Sequence, residues 1–111
     1  MANLPKNVLI VEDNKEVRAR ICAVVDGDPE LTVWAKAATI DEAKVILERG
    51  LPAVALIDLG LPDGGGETII AWLHKHAPNV ETLVLTVFGD ERHVISAIQS
   101  GASGYLSLIH I

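Results

Sequence analysis

Acidic residues stand where two short apolar runs of the chain stop. Residues 8–11 lead directly into Glu12 and Asp13, and residues 53–57 lead into Asp58. A third run, 83–85, ends at Thr86, and the last apolar segment holds Tyr105 and Ser107. In an open parallel α/β sheet, ligands bind beyond the carboxyl ends of the strands, so these side chains are candidates for one shared site. Carboxylates brought close together repel, and each raises the others' affinity for protons unless a cation neutralises them. Hard oxygen donors suit Mg²⁺, so Glu12, Asp13 and Asp58 predict a divalent metal site. Each residue alone has a plainer explanation. Asp13 or Asn14 can cap a helix, an Asp closing a strand can accept from loop amides, and Thr is a common strand residue. It is the whole set, placed at the ends of the right strands, that points to chemistry.

The elements that must position these residues follow from hydropathy. Short apolar runs alternate with amphipathic segments, the pattern of a βα-type domain with a parallel sheet, and five strands and four helices are expected. Residues 8–11, 53–57 and 83–85 are continuously apolar, as strands covered on both faces must be. Residues 31–37 alternate, with Leu31, Val33 and Ala35 on one side and Thr32, Trp34 and Lys36 on the other, which predicts an edge strand. The fifth strand is expected within 104–109. Val17, Ile21, Val24 and Val25 define one helical stripe, stopped at Gly27. Thr39 with Glu42 forms a capping box that opens a second helix through Ile40, Ala43 and Leu47, ended by Gly50 and Pro52. A third helix is predicted over 67–76 and a fourth over 90–100, the latter with Val94, Ile98 and Ala102 in register.

Composition narrows the function. The chain has 111 residues with 9 Lys plus Arg against 15 Asp plus Glu, a formal charge of −6. One domain spanning 1–111 is expected, large enough for a core without disulfides. Duplex binding draws on cations that neutralise phosphates, and no basic run is present, so no nucleic-acid contact is expected through this chain. The single cysteine, Cys22, falls among helix-spaced apolar residues and reads as an inert thiol. Neither a signal peptide nor a membrane span is visible, which predicts a cytoplasmic protein without a membrane partner. No G-x-x-x-x-G-K-[ST] motif occurs, and the acidic loop 12–16 lacks the glycine needed to cradle a dinucleotide or flavin phosphate. Gly64, Gly65 and Gly66 read as a flexible turn. His74, His76, His93 and His110 show no ligand spacing, and Trp34 and Trp72 read as packing or surface residues.

The residues also carry a family resemblance. VLIVEDN at 8–14, ALIDLGLPDGGG at 55–66, VLTVFGDE at 84–91 and GASGYL at 101–106 resemble the response-regulator receiver domain of bacterial two-component signalling. The likeness covers 7–105 and is nearest to the subfamily in which a helix-turn-helix DNA-binding domain follows. It implies a flavodoxin-like, doubly wound five-stranded parallel sheet of order 2-1-3-4-5. It further implies that Asp58 accepts a phosphoryl group from a sensor histidine kinase or phosphotransfer protein. Asp13, Asp58 and the backbone carbonyl of Gly60 would ligate Mg²⁺ directly, with Glu12 acting through water. Thr86 would be the switch hydroxyl and Tyr105 the switch aromatic, whose movement alters a protein-interaction surface. Such a domain is its own substrate and promotes only its own phosphorylation and dephosphorylation, so it is not an enzyme in the ordinary sense. In a parent protein it would regulate transcription.

Two departures qualify the resemblance. It implies a lysine beyond the switch aromatic that pairs with the acceptor, whereas this chain has Ser107 and no lysine from Tyr105 to Ile111. A phosphorylation-independent interaction module is therefore the alternative function. The segment 106–111, LSLIHI, is also atypical: it resembles a translated sequencing-adaptor end and stands where a fifth helix is expected to follow. An uncovered sheet face would favour a homodimer.

Overall fold

The computed structural model describes residues 4–58, 60–61, 64–86 and 104–107. In chain order these form β1 (Lys6–Val11), α1 (Lys15–Asp26), β2 (Leu31–Ala37), α2 (Ile40–Arg49), β3 (Val54–Asp58), β4 (Gly60–Leu61), β5 (Gly64–Gly65), α3 (Glu67–His76), β6 (Glu81–Thr86) and β7 (Gly104–Ser107). The main sheet is parallel, with strand order β2-β1-β3-β6-β7. Because β4 and β5 form a separate two-stranded ladder, this is the expected 2-1-3-4-5 order, with the alternating strand at the edge.

The apolar runs of the central strands are buried because both faces are covered. Leu9, Val11, Ala55, Ile57 and Val84 pack with Ile40, Ala43 and Leu47 of α2 and Ile69, Ile70 and Leu73 of α3. Val8, Ile10, Val54, Leu56 and Leu85 pack on the other side with Ile21 and Val25 of α1. Alternate residues of one strand thus enter two cores, as the two-residue period of a strand requires. The helix boundaries have local causes. Asn14 Oδ1 accepts from the Val17 amide at 3.0 Å to open α1. Thr39 Oγ1 accepts from the Glu42 amide at 3.1 Å, while Glu42 reaches back to the Ala38 amide, so the capping box closes one residue earlier than its usual form. α3 runs over 67–76 as predicted.

Three expectations need correction. Val24 does not belong to the buried stripe of α1; it is 56% exposed, while Ile21 and Val25 are buried. One helical step is about 100°, so two adjacent valines cannot both face the sheet. The alternation of β2 is broken at Trp34: Val8 pairs with Val33 but Leu9 with Ala35, so Trp34 is bulged out of register. As a result Leu31 and Val33 pack toward α1, whereas Ala35 and Ala37 join the opposite core. Finally, the glycine run is not a simple turn. Gly64 and Gly65 pair antiparallel with Leu61 and Gly60, and Gly66 is the N-cap of α3. The predicted helix over 90–100, with Val94, Ile98 and Ala102, lies outside the described residues, as do His93 and His110.

Candidate functional site

Parallel register assembles the acids. Val11 on β1 pairs with Ile57 on β3, so the next residues, Glu12 and Asp58, lie side by side at the carboxyl end of the sheet. Asp58 in turn pairs with Leu85 on β6, which places Thr86 one step beyond. β7 continues the row, with Tyr105 opposite Val84 and Ser107 opposite Thr86. The amide of Glu12 donates to the Ala37 carbonyl at 2.9 Å, so the backbone stays tied to β2 one residue past the end of β1.

Ligand oxygens of Glu12, Asp13 and Asp58 lie within 4.8 Å of one another, the metal-capable cluster found among the described residues. Their exposures differ: Glu12 is only 3% exposed, Asp58 is half-buried and Asp13 is exposed. Burial pushes the Glu12 carboxyl up to about 8, helped by its hydrogen bonds to Asp58 and Asp13 and by the Asp58 charge, against a lowering contact from the Asn14 amide. The Asn14 N–H donates to Glu12 Oε2 at 3.3 Å. A buried carboxyl held toward its protonated form by burial and by its acidic neighbours, beside two further hard oxygen donors, fits a small divalent ion such as Mg²⁺. Helix capping does not explain the cluster, because Asn14 caps α1 and Asp13 is left beside the other acids.

Two residues matter here in ways the sequence reading missed: Arg18 was not singled out, and Gly66 was read only as part of a flexible turn. Arg18, half-buried on the first turns of α1, donates from Nη1 to the carbonyl of Glu12 at 2.8 Å and to that of Asp13 at 3.4 Å. Its signal was an arginine one helical turn past the acidic loop. Gly66 lies against the end of β3: a Cβ there would fall 2.4 Å from the Asp58 carbonyl oxygen and 2.7 Å from Ile57 Cγ2. Only glycine fits, and that close approach is invisible in a run of three glycines. Cys22, expected to be a buried thiol, is half-buried, and burial raises its thiol above the ordinary range. His74 and His76 lie on α3, where the His76 ring stands 5.0 Å from that of the exposed Trp72. Among the described residues, no helix is long and apolar enough to cross a membrane.

Comparison with known proteins places this geometry. The family described as "Response regulator receiver domain" matches residues 8–107. The chain is 34% identical over 89% of its length to the DNA-binding transcriptional activator DevR/DosR of Mycobacterium tuberculosis, covering 46% of that protein. It is 30% identical, again over 89% of its length, to the transcriptional regulatory protein DegU of Brevibacillus brevis, covering 42% of it. The chain therefore spans about half the length of the curated relatives it matches. A solved two-component response regulator of the LuxR family from Aurantimonas sp. SI85-9A1 superposes with a TM-score of 0.85 at 25% identity, covering 94% of this chain and 74% of that one. The family match begins within β1 and ends on the last residue of β7, so it takes in every strand of the sheet together with both acid-bearing strand ends, and this chain belongs to the response regulator receiver domain family.

Proposed function

We propose that this chain is a phosphoacceptor module in two-component signalling, with Asp58 as the acceptor. An Asp58 carboxylate oxygen attacks the phosphorus of a phosphohistidine on a sensor kinase or phosphotransfer protein. The P–N bond breaks, its electron pair stays on the imidazole nitrogen, and an acyl phosphate forms on Asp58. The observation that supports this most directly is the convergence of the half-buried Asp58 with the buried Glu12 and the exposed Asp13 at adjacent strand ends. A module that only bound a partner would have little physical reason to hold three repelling carboxyls together.

Glu12, Asp13, Asp58 and the backbone carbonyl of Gly60 are the groups proposed to hold Mg²⁺. The bound ion would supply positive charge that offsets the charge on the transferring oxygens. Asp58 ends a strand paired on both sides, by β1 and by β6, which fixes its backbone for attack. Glu12 keeps its proton near neutral pH until a cation replaces it. Thr86 and Tyr105 are the proposed switch pair, on the adjoining strands β6 and β7. In the longer parent protein this switch would govern transcription in the cytoplasm, with DNA contacted by another segment. The domain is proposed to span 1–111.

Intact-mass spectrometry after incubation with acetyl phosphate and Mg²⁺ tests the reading. A phosphoryl adduct is expected on the parent chain and none on Asp58→Asn. A folded parent that takes no adduct overturns it and favours the phosphorylation-independent interaction module, the reading consistent with Ser107.

A further inference from the structure

The backbone that carries Glu12 and Asp13 is held from one side by the sheet and from the other by α1. On the helix side, the Val17 amide donates to Asn14 Oδ1 at 3.0 Å and the Arg18 amide to the Asn14 carbonyl at 2.8 Å. Beyond this ordinary cap, the Arg18 side chain turns back past the start of its own helix. Its Nη1 reaches the Glu12 carbonyl at 2.8 Å and, at a longer 3.4 Å, the Asp13 carbonyl. These carbonyls belong to two consecutive residues whose side chains both enter the acidic cluster. An arginine spent on two main-chain oxygens beside three carboxyls is not acting as a simple counter-ion.

We infer that Arg18 is a positioning residue of the proposed metal site, clasping the Glu12 and Asp13 main chain so that both carboxyls converge on Asp58; this rests on the functional reading above. A guanidinium suits the task because its donors are fixed in one plane and it stays charged at any working pH. Residues that orient metal ligands without touching the metal typically change affinity by roughly ten- to a hundredfold. The sign of the effect separates positioning from electrostatics. Removing a positive charge beside a cation site tightens binding by Coulomb's law, whereas losing a clasp weakens it.

The test is calorimetric titration of Mg²⁺ into the whole chain and into Arg18→Ala, Arg18→Lys and Asp13→Asn, each first compared with the parent by far-UV circular dichroism. Arg18→Ala is expected to bind about tenfold more weakly. Arg18→Lys, which keeps the charge and one donor, is expected to recover part of that loss. If Arg18→Ala fails to fold, Arg18→Lys decides, and affinity equal to the parent's overturns the clasp. Parent-like or tighter binding by a folded Arg18→Ala also overturns it, while leaving the metal site standing. A parent that binds no Mg²⁺, or an Asp13→Asn that binds as well as the parent, overturns the site and the clasp together.

Discussion

At the amino-terminal end of the sheet, a depression of about 650 Å³ is lined by Pro5, Pro52 and Pro78 together with Leu51, His76 and Val80. The opposite end holds the buried Glu12 with Asp13 and Asp58. The first region has a hollow but poor chemistry. Its prolines lack amide donors, and the strand starts that border it use their amides on main-chain carbonyls: Lys6 to Glu30, Ala53 to Asn7 and Glu81 to Ala53. The second region concentrates ionisable oxygens where one carboxyl is shielded from water. The acidic end is recognised by strand polarity and charge.

The largest contrast between the two ends is expected in pH dependence. The Glu12 carboxyl titrates near 4.5 when unfolded and at about 8 when folded, so the folded chain retains a proton that the unfolded chain releases. Its contribution to stability is fully present below about 4.5 and is lost as pH rises through about 8, an effect on the order of a few kcal/mol. Urea unfolding in EDTA at several pH values across that window checks the slope. Glu12→Gln is expected to flatten it, whereas His76→Ala at the amino-terminal end should not. Mg²⁺ competes with the proton and stabilises the folded state by mass action, so the gain on adding Mg²⁺ is expected to grow with pH. A metal-free stability that rises from about pH 5 to about pH 8 would contradict the assignment.

Next in size is Gly66→Ala. The added methyl meets the Asp58 carbonyl and Ile57 Cγ2, and main chain cannot yield as a flexible side chain would. Overpacking of this kind costs about 1–3 kcal/mol, and here the strain falls on the end of β3, at Ile57 and Asp58. Both the denaturation midpoint and phosphoryl uptake from acetyl phosphate are expected to fall. At the amino-terminal end, Asn79→Ala on an exposed residue is expected to change stability by less than about 0.5 kcal/mol and leave uptake unaltered. Equal loss of uptake in both variants would erase the distinction between the two ends.

What could be read from the residues alone follows the same division. Glu12, Asp13 and Asp58 were legible because each abruptly ends an apolar run, and strand order then decides that the ends meet. α2 and α3 were legible because Thr39, Gly50 and Pro78 act locally. The Trp34 bulge was not, because register belongs to the pairing of β2 with β1 and to no single strand. Val24 was misplaced because helical periodicity alone does not choose between neighbouring valines; packing against the sheet does. Arg18 escaped notice, and Gly66 was read only as part of a turn, for a related reason. One acts on carbonyls and the other through an absent side chain, and neither main-chain contact leaves a mark in residue type.

The smallest expected effect separates the site from its surroundings at the same end of the sheet. Thr39 lies just beyond the carboxyl end of β2, much as the acids lie at the ends of β1 and β3, and its hydroxyl accepts from the Glu42 amide at the start of α2. Thr39→Ala removes an N-cap, which typically costs about 1 kcal/mol. Because β2 is the edge strand and α2 packs on the core formed by Ala43 and Leu47, the loss is expected to appear in the unfolding midpoint alone. Mg²⁺ affinity and the pH slope set by Glu12 should match the parent. If Thr39→Ala also weakened Mg²⁺ binding, the acidic cluster would depend on the whole carboxyl edge of the sheet; if it does not, the site is confined to β1, β3 and the residues that clasp them.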